Sequence, residues 1–241
     1  MRRLRLRTGR SALFLALFGV SLIVFLPMRL MLGWVGLGDQ GLTARAVRGT
    51  IWSGALTEVR FGEVALGDLS AGVAPLPLLA GRARINLSGD DAPPAPRLEG
   101  AIVAGRSTIG LDRVTAAIPV GRAFAPLPIE AIDLSEVGAR FRDGACEAAE
   151  GRVVATIGAV AAGIAGPRTL SGAARCEGGA VLLPLTAASG TEGATVRLWQ
   201  DGRYRADLTL APGDPAQGAA LQQAGFVQGA DGWRLSIEGR F

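Results

Sequence analysis

The sequence predicts a mainly β protein, in which a single N-terminal transmembrane helix precedes a curved antiparallel β-sheet or β-sandwich with one short helix near the C-terminus. Three observations predict this fold class. Only one apolar run is long enough to cross a bilayer. Glycine is abundant, at 35 of 241 residues, and aromatic residues make up 5%, which favours short strands and tight turns over long helices. Hydrophobic residues make up 49%, too many for a disordered chain.

The apolar run near the N-terminus predicts the membrane helix. Ser11–Met28 contains 18 residues without a charge, and 18 helical residues rise about 27 Å, close to the thickness of the hydrocarbon core. Five arginines and no acidic residue precede the run, whereas Arg29 alone follows it. The positive-inside rule then places the N-terminus in the cytoplasm and the rest of the chain outside it. The predicted regions are a cytoplasmic Arg-rich arm (1–10), a transmembrane anchor (11–30), a Gly-rich linker (31–43) and a β-rich domain (44–241).

A cleavable signal peptide is the alternative interpretation of this segment, because it also combines a basic start with an apolar middle. Two features favour an uncleaved anchor. The apolar run is longer than the core of a typical signal peptide, and no A-x-A cleavage site follows it. Both interpretations export the remainder of the chain to an oxidising compartment.

The charge distribution argues against a nucleic-acid partner. Every basic residue is arginine, and five of the 25 lie in the N-terminal arm, so the rest of the chain has 20 arginines against 21 acidic residues. A nucleic-acid-binding protein needs a basic surface on its folded domain, whereas this domain is nearly neutral. We therefore predict no nucleic-acid partner.

The two cysteines predict one disulfide. Cys146 and Cys176 lie 30 residues apart, and the chain has no histidine. These features exclude the usual Cys/His zinc sites and a C-x-x-C redox motif. In an exported domain such a pair forms a structural disulfide, which stabilises the fold by about 3–4 kcal/mol in the chain-entropy model. Two buried free thiols are the alternative.

The sequence contains no recognisable catalytic or cofactor-binding motif. Without histidine, neither a Ser-His-Asp nor a Cys-His arrangement can form. Gly36, Gly38 and Gly41 match the spacing of a dinucleotide-binding loop, but that loop needs a strand before it and a helix after it, so we interpret these glycines as linker. Three carboxylate pairs lie in or beside polar loops, where solvated turns explain them: Asp90/Asp91, Asp133/Glu136 and Glu147/Glu150. We therefore predict no catalytic, cofactor-binding or metal-binding residues.

Short strands separated by glycines are predicted along the first half of the domain. They are rich in Val, Ile, Leu and Thr, which is typical of an all-β domain. The predicted strands are Ala44–Trp52, Leu56–Val64, Ala83–Leu87, Leu98–Val103 and Ser107–Val114. The proline-rich segment Asp91–Pro96 predicts a loop, and Pro119, Pro126 and Pro128 mark a second break, but neither requires two independent domains.

A β-hairpin is predicted near the C-terminus, where Thr195–Gln200 and Arg203–Leu210 flank the turn signal Asp201-Gly202. In the second arm, alternate residues share an inward face: Tyr204, Ala206, Leu208 and Leu210. A two-residue loop would place Arg197 opposite Ala206. A bulged three-residue loop would shift this pairing, and the sequence leaves both arrangements open.

One helix and one strand complete the chain. Asp214, Pro215 and Gly225 provide a cap, a first-turn proline and a C-terminal glycine for a helix within Pro212–Phe226. A turn over Gly229–Gly232 then leads into a final strand whose inward residues are Trp233, Leu235, Ile237 and Phe241. We expect a buried cluster of Tyr204, Leu208, Trp233 and Leu235.

The most distinctive motif contains Gly49, Thr50, Trp52 and Gly54. Taken alone, it predicts a strand with a buried Trp that ends in a glycine turn or bulge. Its surroundings, Val47–Leu56, resemble the opening of the type II secretion system protein N family. Further segments resemble the middle and the C-terminal third of that family: Leu170–Gly172, Cys176–Gly179, Leu182–Leu185, Asp201–Tyr204, Leu208–Pro212, Ala224–Phe226, Gly232–Leu235 and Glu238-Gly239.

This resemblance implies a non-enzymatic protein of the bacterial inner membrane, with a single span, a cytoplasmic N-terminus and a periplasmic β-rich domain. It also implies contacts with other type II secretion system proteins during the export of folded proteins across the outer membrane. It implies no catalytic residue and no cofactor.

The motif Gly-Thr-x-Trp-x-Gly is also similar to sequences of the AsmA-like envelope family. That resemblance implies an alternative function, in which a curved β-sheet binds or transports lipid. An open groove lined by apolar residues would favour the lipid alternative, whereas a closed core would weaken it. The C-terminal series of similar segments favours the secretion family.

Overall fold

One antiparallel sheet dominates the molecule, and its strands follow one another almost in chain order. The computed structural model describes residues 10–30, 42–62, 64–89, 98–120, 129–158, 168–210, 218–223, 225–230 and 232–240. Within these residues, the first eight strands are β1 (Leu42–Thr43), β2 (Ala46–Thr50), β3 (Ser53–Phe61), β4 (Val64–Val73), β5 (Ala83–Gly89), β6 (Leu98–Ala104), β7 (Thr108–Pro119) and β8 (Ile129–Arg142). The other eight are β9 (Ala145–Ile157), β10 (Arg168–Ala173), β11 (Arg175–Glu177), β12 (Ala180–Ala187), β13 (Glu192–Leu198), β14 (Arg203–Leu210), β15 (Val227–Gly229) and β16 (Gly232–Arg240).

The spatial order of the strands confirms the antiparallel prediction. It runs β1-β3-β4-β5-β6-β7-β8-β9-β10-β12-β13-β14-β16-β15, and β2 also pairs with β3 and β11 with β12. The described strands therefore form one sheet rather than the two packed sheets of a sandwich. The predicted strand Leu56–Val64 was wrong at its end, because it crosses the turn between β3 and β4. The predicted strand Ser107–Val114 continues to Pro119.

Bulges bend the sheet, and at three of those in the described strands a residue other than glycine has a positive φ angle. Glu58 on β3, Arg113 on β7 and Glu136 on β8 have positive φ angles of 49°, 47° and 50°, and each lies where the register with a neighbouring strand shifts. An extra residue in one strand bends that strand and increases its local twist. Side chains bind two of the displaced N–H groups: Glu58 N donates to Asp68 Oδ1 (2.7 Å) and Glu136 N to Thr115 Oγ1 (3.1 Å).

The apolar residues of the sheet form two buried clusters. The larger cluster lies on β8–β10, β12–β14 and β16, and Leu170 at its centre has no exposed surface. The smaller cluster contains Met28 and four residues of β3 and β4: Leu56, Val59, Leu69 and Ala71. Of the four residues expected to form a buried cluster, Leu208, Trp233 and Leu235 are buried and Tyr204 is half-buried.

A short helix, α3 (Gly218–Gln223), covers the C-terminal part of the larger cluster. It ends as the sequence predicts, because Gly225 has a φ of 90°. Gly225 N donates to Gln222 O (3.0 Å) and Phe226 N to Leu221 O (2.9 Å), which is the paired hydrogen-bond pattern of a Schellman motif. Asp214 and Pro215, the predicted cap and first-turn residues, lie outside the described residues.

The hairpin between β13 and β14 has the three-residue loop rather than the two-residue loop. Val196 pairs with Ala206 and Arg197 with Arg205. Trp199 N donates to Arg203 O (3.0 Å), and Gly202 N donates to Trp199 O (3.1 Å). This register places Val196 rather than Arg197 opposite Ala206. The final strand β16 pairs with β14 and carries the predicted inward residues Trp233, Leu235 and Ile237, while Phe241 lies outside the described residues.

Two further helices, α1 (Arg10–Val24) and α2 (Pro75–Leu79), lie in the N-terminal half. α1 covers the first part of the predicted anchor 11–30 but ends at Val24, because Pro27 has no N–H to continue the helix. Across the residues that the structure describes, no helix has both the length and the apolar character that a membrane crossing needs. No sequence pattern predicted α2. The predicted linker 31–43 and the loop Asp91–Pro96 lie mostly or wholly outside the described residues.

Candidate functional site

The motif that carries the family resemblance forms the turn at which the N-terminal segment meets the sheet. In the register of β2 with β3, Gly49 pairs with Gly54 and Thr50 pairs with Ser53. Ile51 and Trp52 are left as the two residues of the turn. The prediction of a buried Trp within a strand was therefore wrong, since Trp52 is half-buried in a turn and its neighbour Ile51 is buried.

Hydrogen bonds join this turn to the end of α1. In a continuing helix the carbonyl of Ile23 would accept from the N–H of residue 27, but residue 27 is proline. The indole N–H of Trp52 donates to this carbonyl instead (3.1 Å). Ile51 N donates to Leu26 O (3.1 Å), and Pro27 forms an isolated antiparallel bridge with Thr50. The end of α1 and the segment that follows it are thus bonded to the sheet at three consecutive residues, Thr50, Ile51 and Trp52.

The glycines of the motif permit this close approach. Gly49 has a φ of 88°, and a Cβ atom there would lie 2.3 Å from Ser53 O. A Cβ atom on Gly54 would lie 1.9 Å from Met28 Sδ. Met28 is only 7% exposed and belongs to the smaller core cluster. We call this contact region, formed by residues 23–28 and 49–54, the junction.

A disulfide joins Cys146 on β9 to Cys176 on β11, with a Cα–Cα distance of 5.6 Å. This confirms the predicted pairing. Ala174 separates β10 from β11, and its N–H donates to Gly151 O on β9 (3.0 Å). The disulfide is formed two residues later, at Cys176. Cys146 N also donates to Gly179 O (2.9 Å). The disulfide therefore holds the end of the β8–β9 hairpin against the turn between β11 and β12.

Charged side chains form pairs on the surface of the sheet rather than a reactive cluster. Arg84 on β5 donates to Asp112 on β7, across β6, and also to Asn86 Oδ1 (3.1 Å). The hydrogen bond from Arg84 is the main cause that lowers the pKa of Asp112, against a smaller opposing effect of burial. This pair lies in a shallow pocket of about 440 Å³ that both acidic and basic side chains line.

A second charged group surrounds Asp207 on β14. Partial burial raises the pKa of Asp207, but hydrogen bonds from Ser236 Oγ (2.6 Å) and Arg205 Nε (3.3 Å) outweigh it, helped by the charge of Arg197. The pKa of this carboxyl is therefore lowered. Arg205 and Arg197 face each other on adjacent strands, and the carboxylate of Asp207, within 4.0 Å of both, offsets their mutual repulsion.

The acidic side chains of the described residues are dispersed rather than clustered. The described residues contain no cluster of three or more Cys, Asp or Glu side chains that could hold a metal ion. Of the carboxylate pairs considered above, Glu147 contacts Arg142 (3.0 Å), while Asp90 and Asp91 lie outside the described residues. A pocket of about 780 Å³ near the C-terminus is lined by mixed polar and apolar residues of β13, β14 and the β15–β16 hairpin.

Comparison with known proteins identifies the family. The family described as "Type II secretion system (T2SS), protein N" matches residues 40–236, which include the whole motif, both cysteines and most of the sheet. Type II secretion system protein N of Vibrio cholerae serotype O1 (strain ATCC 39315 / El Tor Inaba N16961) is 27% identical over 151 residues. That alignment covers 59% of this chain and 60% of the relative, so it spans less than two thirds of the relative's length. No solved structure matches the chain. Because the family match covers well over half of its residues, the chain belongs to the type II secretion system protein N family.

Proposed function

We propose that this protein is a non-enzymatic inner-membrane component of the type II secretion system, which contributes to the export of folded proteins across the outer membrane through protein–protein contacts. The observation that carries the proposal is the family match over residues 40–236. The absence of histidine from the sequence and of any metal-binding cluster from the described residues is consistent with an assembly role.

The proposed location rests on the N-terminal segment and the disulfide. The side chains of α1 are large, apolar and exposed along its length, with Phe14 and Leu15 about two thirds exposed. Such a surface needs an apolar environment. The arginines before it favour a cytoplasmic N-terminus. The disulfide between Cys146 and Cys176 is stable in an oxidising compartment, which supports a periplasmic sheet.

The proposed protein contacts involve the edges of the sheet. β1 and β15 at its two ends have only two and three residues, which limits unwanted pairing with other chains. β2 is longer, and in the described structure its outer edge makes one bridge, from Thr50 to Pro27. A partner strand that adds to β2 would therefore bind next to the junction, by main-chain hydrogen bonds.

The alternative function, lipid carriage by a curved sheet, would require an open apolar groove. The apolar residues of the larger cluster pack closely on one another instead, and Leu170 within it has no exposed surface. Among the strands that the structure describes, the large exposed hydrophobic residues are Ile109 and Leu111, both on β7, and Val227 on β15 at one end of the sheet. These observations favour the assembly role over lipid carriage.

Cross-linking in native membranes tests the proposal. The protein, tagged at its C-terminus, is cross-linked in cells of its own species and purified, and bound proteins and lipids are identified by mass spectrometry. An unrelated single-span inner-membrane protein with the same tag is the control. Secretion-system proteins enriched over the control, without stoichiometric lipid, are the expected result. Stoichiometric lipid without those proteins would contradict the assembly role and favour a lipid carrier.

A further inference from the structure

The short helix α2 (Pro75–Leu79) exposes its leucines. Leu76 is 78% exposed and Leu79 is 87% exposed, and no residue of α2 is buried. The helix ends in a Schellman motif: Gly81 N donates to Leu78 O (2.9 Å) and Arg82 N to Pro77 O (3.0 Å). Packing on the sheet therefore does not explain these leucines, which lie three residues apart on one face of the turn.

A continuous series of hydrogen bonds places α2 beside the end of α1. Leu26 O accepts from Ile51 N (3.1 Å), and Ile51 O accepts from Val73 N (2.8 Å). Val73 is the last residue of β4, and Pro75 begins α2 two residues later, so their Cα atoms are at most about 7.6 Å apart. The start of α2 and the end of α1 thus lie on opposite sides of the same turn, at one end of the sheet.

The residues around α2 have the composition of a membrane interface. Trp52 lies in the β2–β3 turn, which separates the end of α1 from the start of α2 in space, and it is half-buried. Phe25, the first residue after α1, is exposed. Arg82 follows α2 and is exposed, and no acidic residue occurs between Asp68 and Asp90. Aromatic residues favour the headgroup region of a bilayer, and arginine is attracted to anionic headgroups.

We propose that α2 inserts Leu76 and Leu79 into the membrane leaflet on the side of the sheet, next to α1, so that the sheet rests on the bilayer at two points. This inference rests on the membrane location proposed above. An apolar surface of a single turn binds lipid only weakly by itself, but α1 would already hold it at the bilayer. The expected occupant of this surface is therefore a phospholipid bilayer with anionic headgroups near Arg82.

Depth-dependent fluorescence quenching tests the inference on the full chain. Leu79→Cys is labelled with NBD, without reductant, after reconstitution into vesicles of phosphatidylethanolamine and phosphatidylglycerol. Leu17→Cys, within α1, reports on the membrane location, and Val227→Cys, an exposed apolar residue at the far end of the sheet, is the matched control. For residue 79 the expected result is a blue-shifted emission that nitroxide-labelled lipids quench, compared with an aqueous, unquenched emission for residue 227.

The outcomes separate the two proposals. Quenching at residue 17 with an aqueous emission at residue 79 would overturn the insertion of α2 and leave the membrane location intact. An aqueous emission at residue 17 would overturn the membrane location itself. A blue shift at residue 79 that lipid nitroxides do not quench, and that disappears as the protein is diluted in lipid, would identify a second copy of the chain as the occupant and overturn the lipid inference.

Discussion

Replacing Gly54 by alanine is expected to disrupt the packing of Met28 at the junction. A Cβ atom at residue 54 would lie 1.9 Å from Met28 Sδ and 3.3 Å from Thr50 O. The sulfur belongs to a flexible side chain, so Met28 can move away, but it then leaves a core in which it is 7% exposed. The substitution therefore lowers the free energy of unfolding because the methionine side chain is lost from the smaller core cluster.

The burial of Met28 allows the change in the free energy of unfolding to be estimated. Full burial of a methionine side chain contributes about 1.5–3 kcal/mol, and an added methyl group in a packed site costs about 1–3 kcal/mol. We expect Gly54→Ala to lower the free energy of unfolding by about 1–3 kcal/mol. Met28→Ala removes the same contacts and also makes room for the methyl group. The double variant is therefore expected to be as stable as Met28→Ala alone, which is a strong departure from additivity.

Guanidinium unfolding of the detergent-solubilised protein, followed by circular dichroism, measures the four members of this cycle. Gly172→Ala is the matched control, because a Cβ atom there would lie 2.0 Å from Pro184 O on β12, far from the junction in the order of the strands. Its cost should be the same with methionine or alanine at residue 28. If Gly54→Ala costs as much in the Met28→Ala background as in the wild type, Met28 does not pack on residue 54 and the junction is described wrongly.

Three further predictions concern the core, the disulfide and one carboxylate. Trp233→Ala is expected to lower the free energy of unfolding by about 3–5 kcal/mol, because Trp233 is buried in the larger cluster; an unchanged melting temperature would contradict this. Replacing Cys146 and Cys176 by serine should cost about 3–4 kcal/mol, and mass spectrometry of the unreduced, alkylated protein should find no free thiol; two alkylated thiols would contradict the pairing. Because its pKa is lowered in the folded state, Asp207 stabilises the fold above its unfolded pKa of about 3.9, and this stability is lost as the pH falls through the folded pKa. Asp207→Asn should therefore be less stable than the wild type at neutral pH and equal to it in strong acid; a difference in stability that persists there would contradict the assignment.

Local patterns predicted those parts of the fold whose determinants are close in sequence. Strict alternation along β14 and β16 predicted their buried faces, and Gly225 predicted the end of α3. The disulfide was predicted from the expected export of the domain and the presence of two cysteines. The residues that determine the two strands and the end of α3 lie within those short segments. The disulfide could be predicted because the chain has only two cysteines, so only one pairing is possible.

The bulges and the junction could not be predicted because they depend on pairs of distant residues. Glu58, Arg113 and Glu136 adopt positive φ angles since the register of long neighbouring strands shifts there, and none of the three positions is itself a glycine. The junction joins residues 23–28 to residues 49–54. One local signal was available: Pro27 stands four residues after Ile23, so the helix had to lose that hydrogen bond.

The junction changes how the N-terminal segment is expected to act. A Gly-rich linker between anchor and sheet would let the sheet turn freely, but the end of α1 is bonded to the β2–β3 turn before that linker begins. The indole of Trp52 and the peptide groups of Ile51 and Leu26 therefore fix the direction in which the sheet leaves α1. With the membrane location proposed above, this would hold the edge strand β2 at a constant height above the bilayer. A partner could then bind β2 without the entropic cost of orienting the whole sheet, because the junction has already restricted that motion.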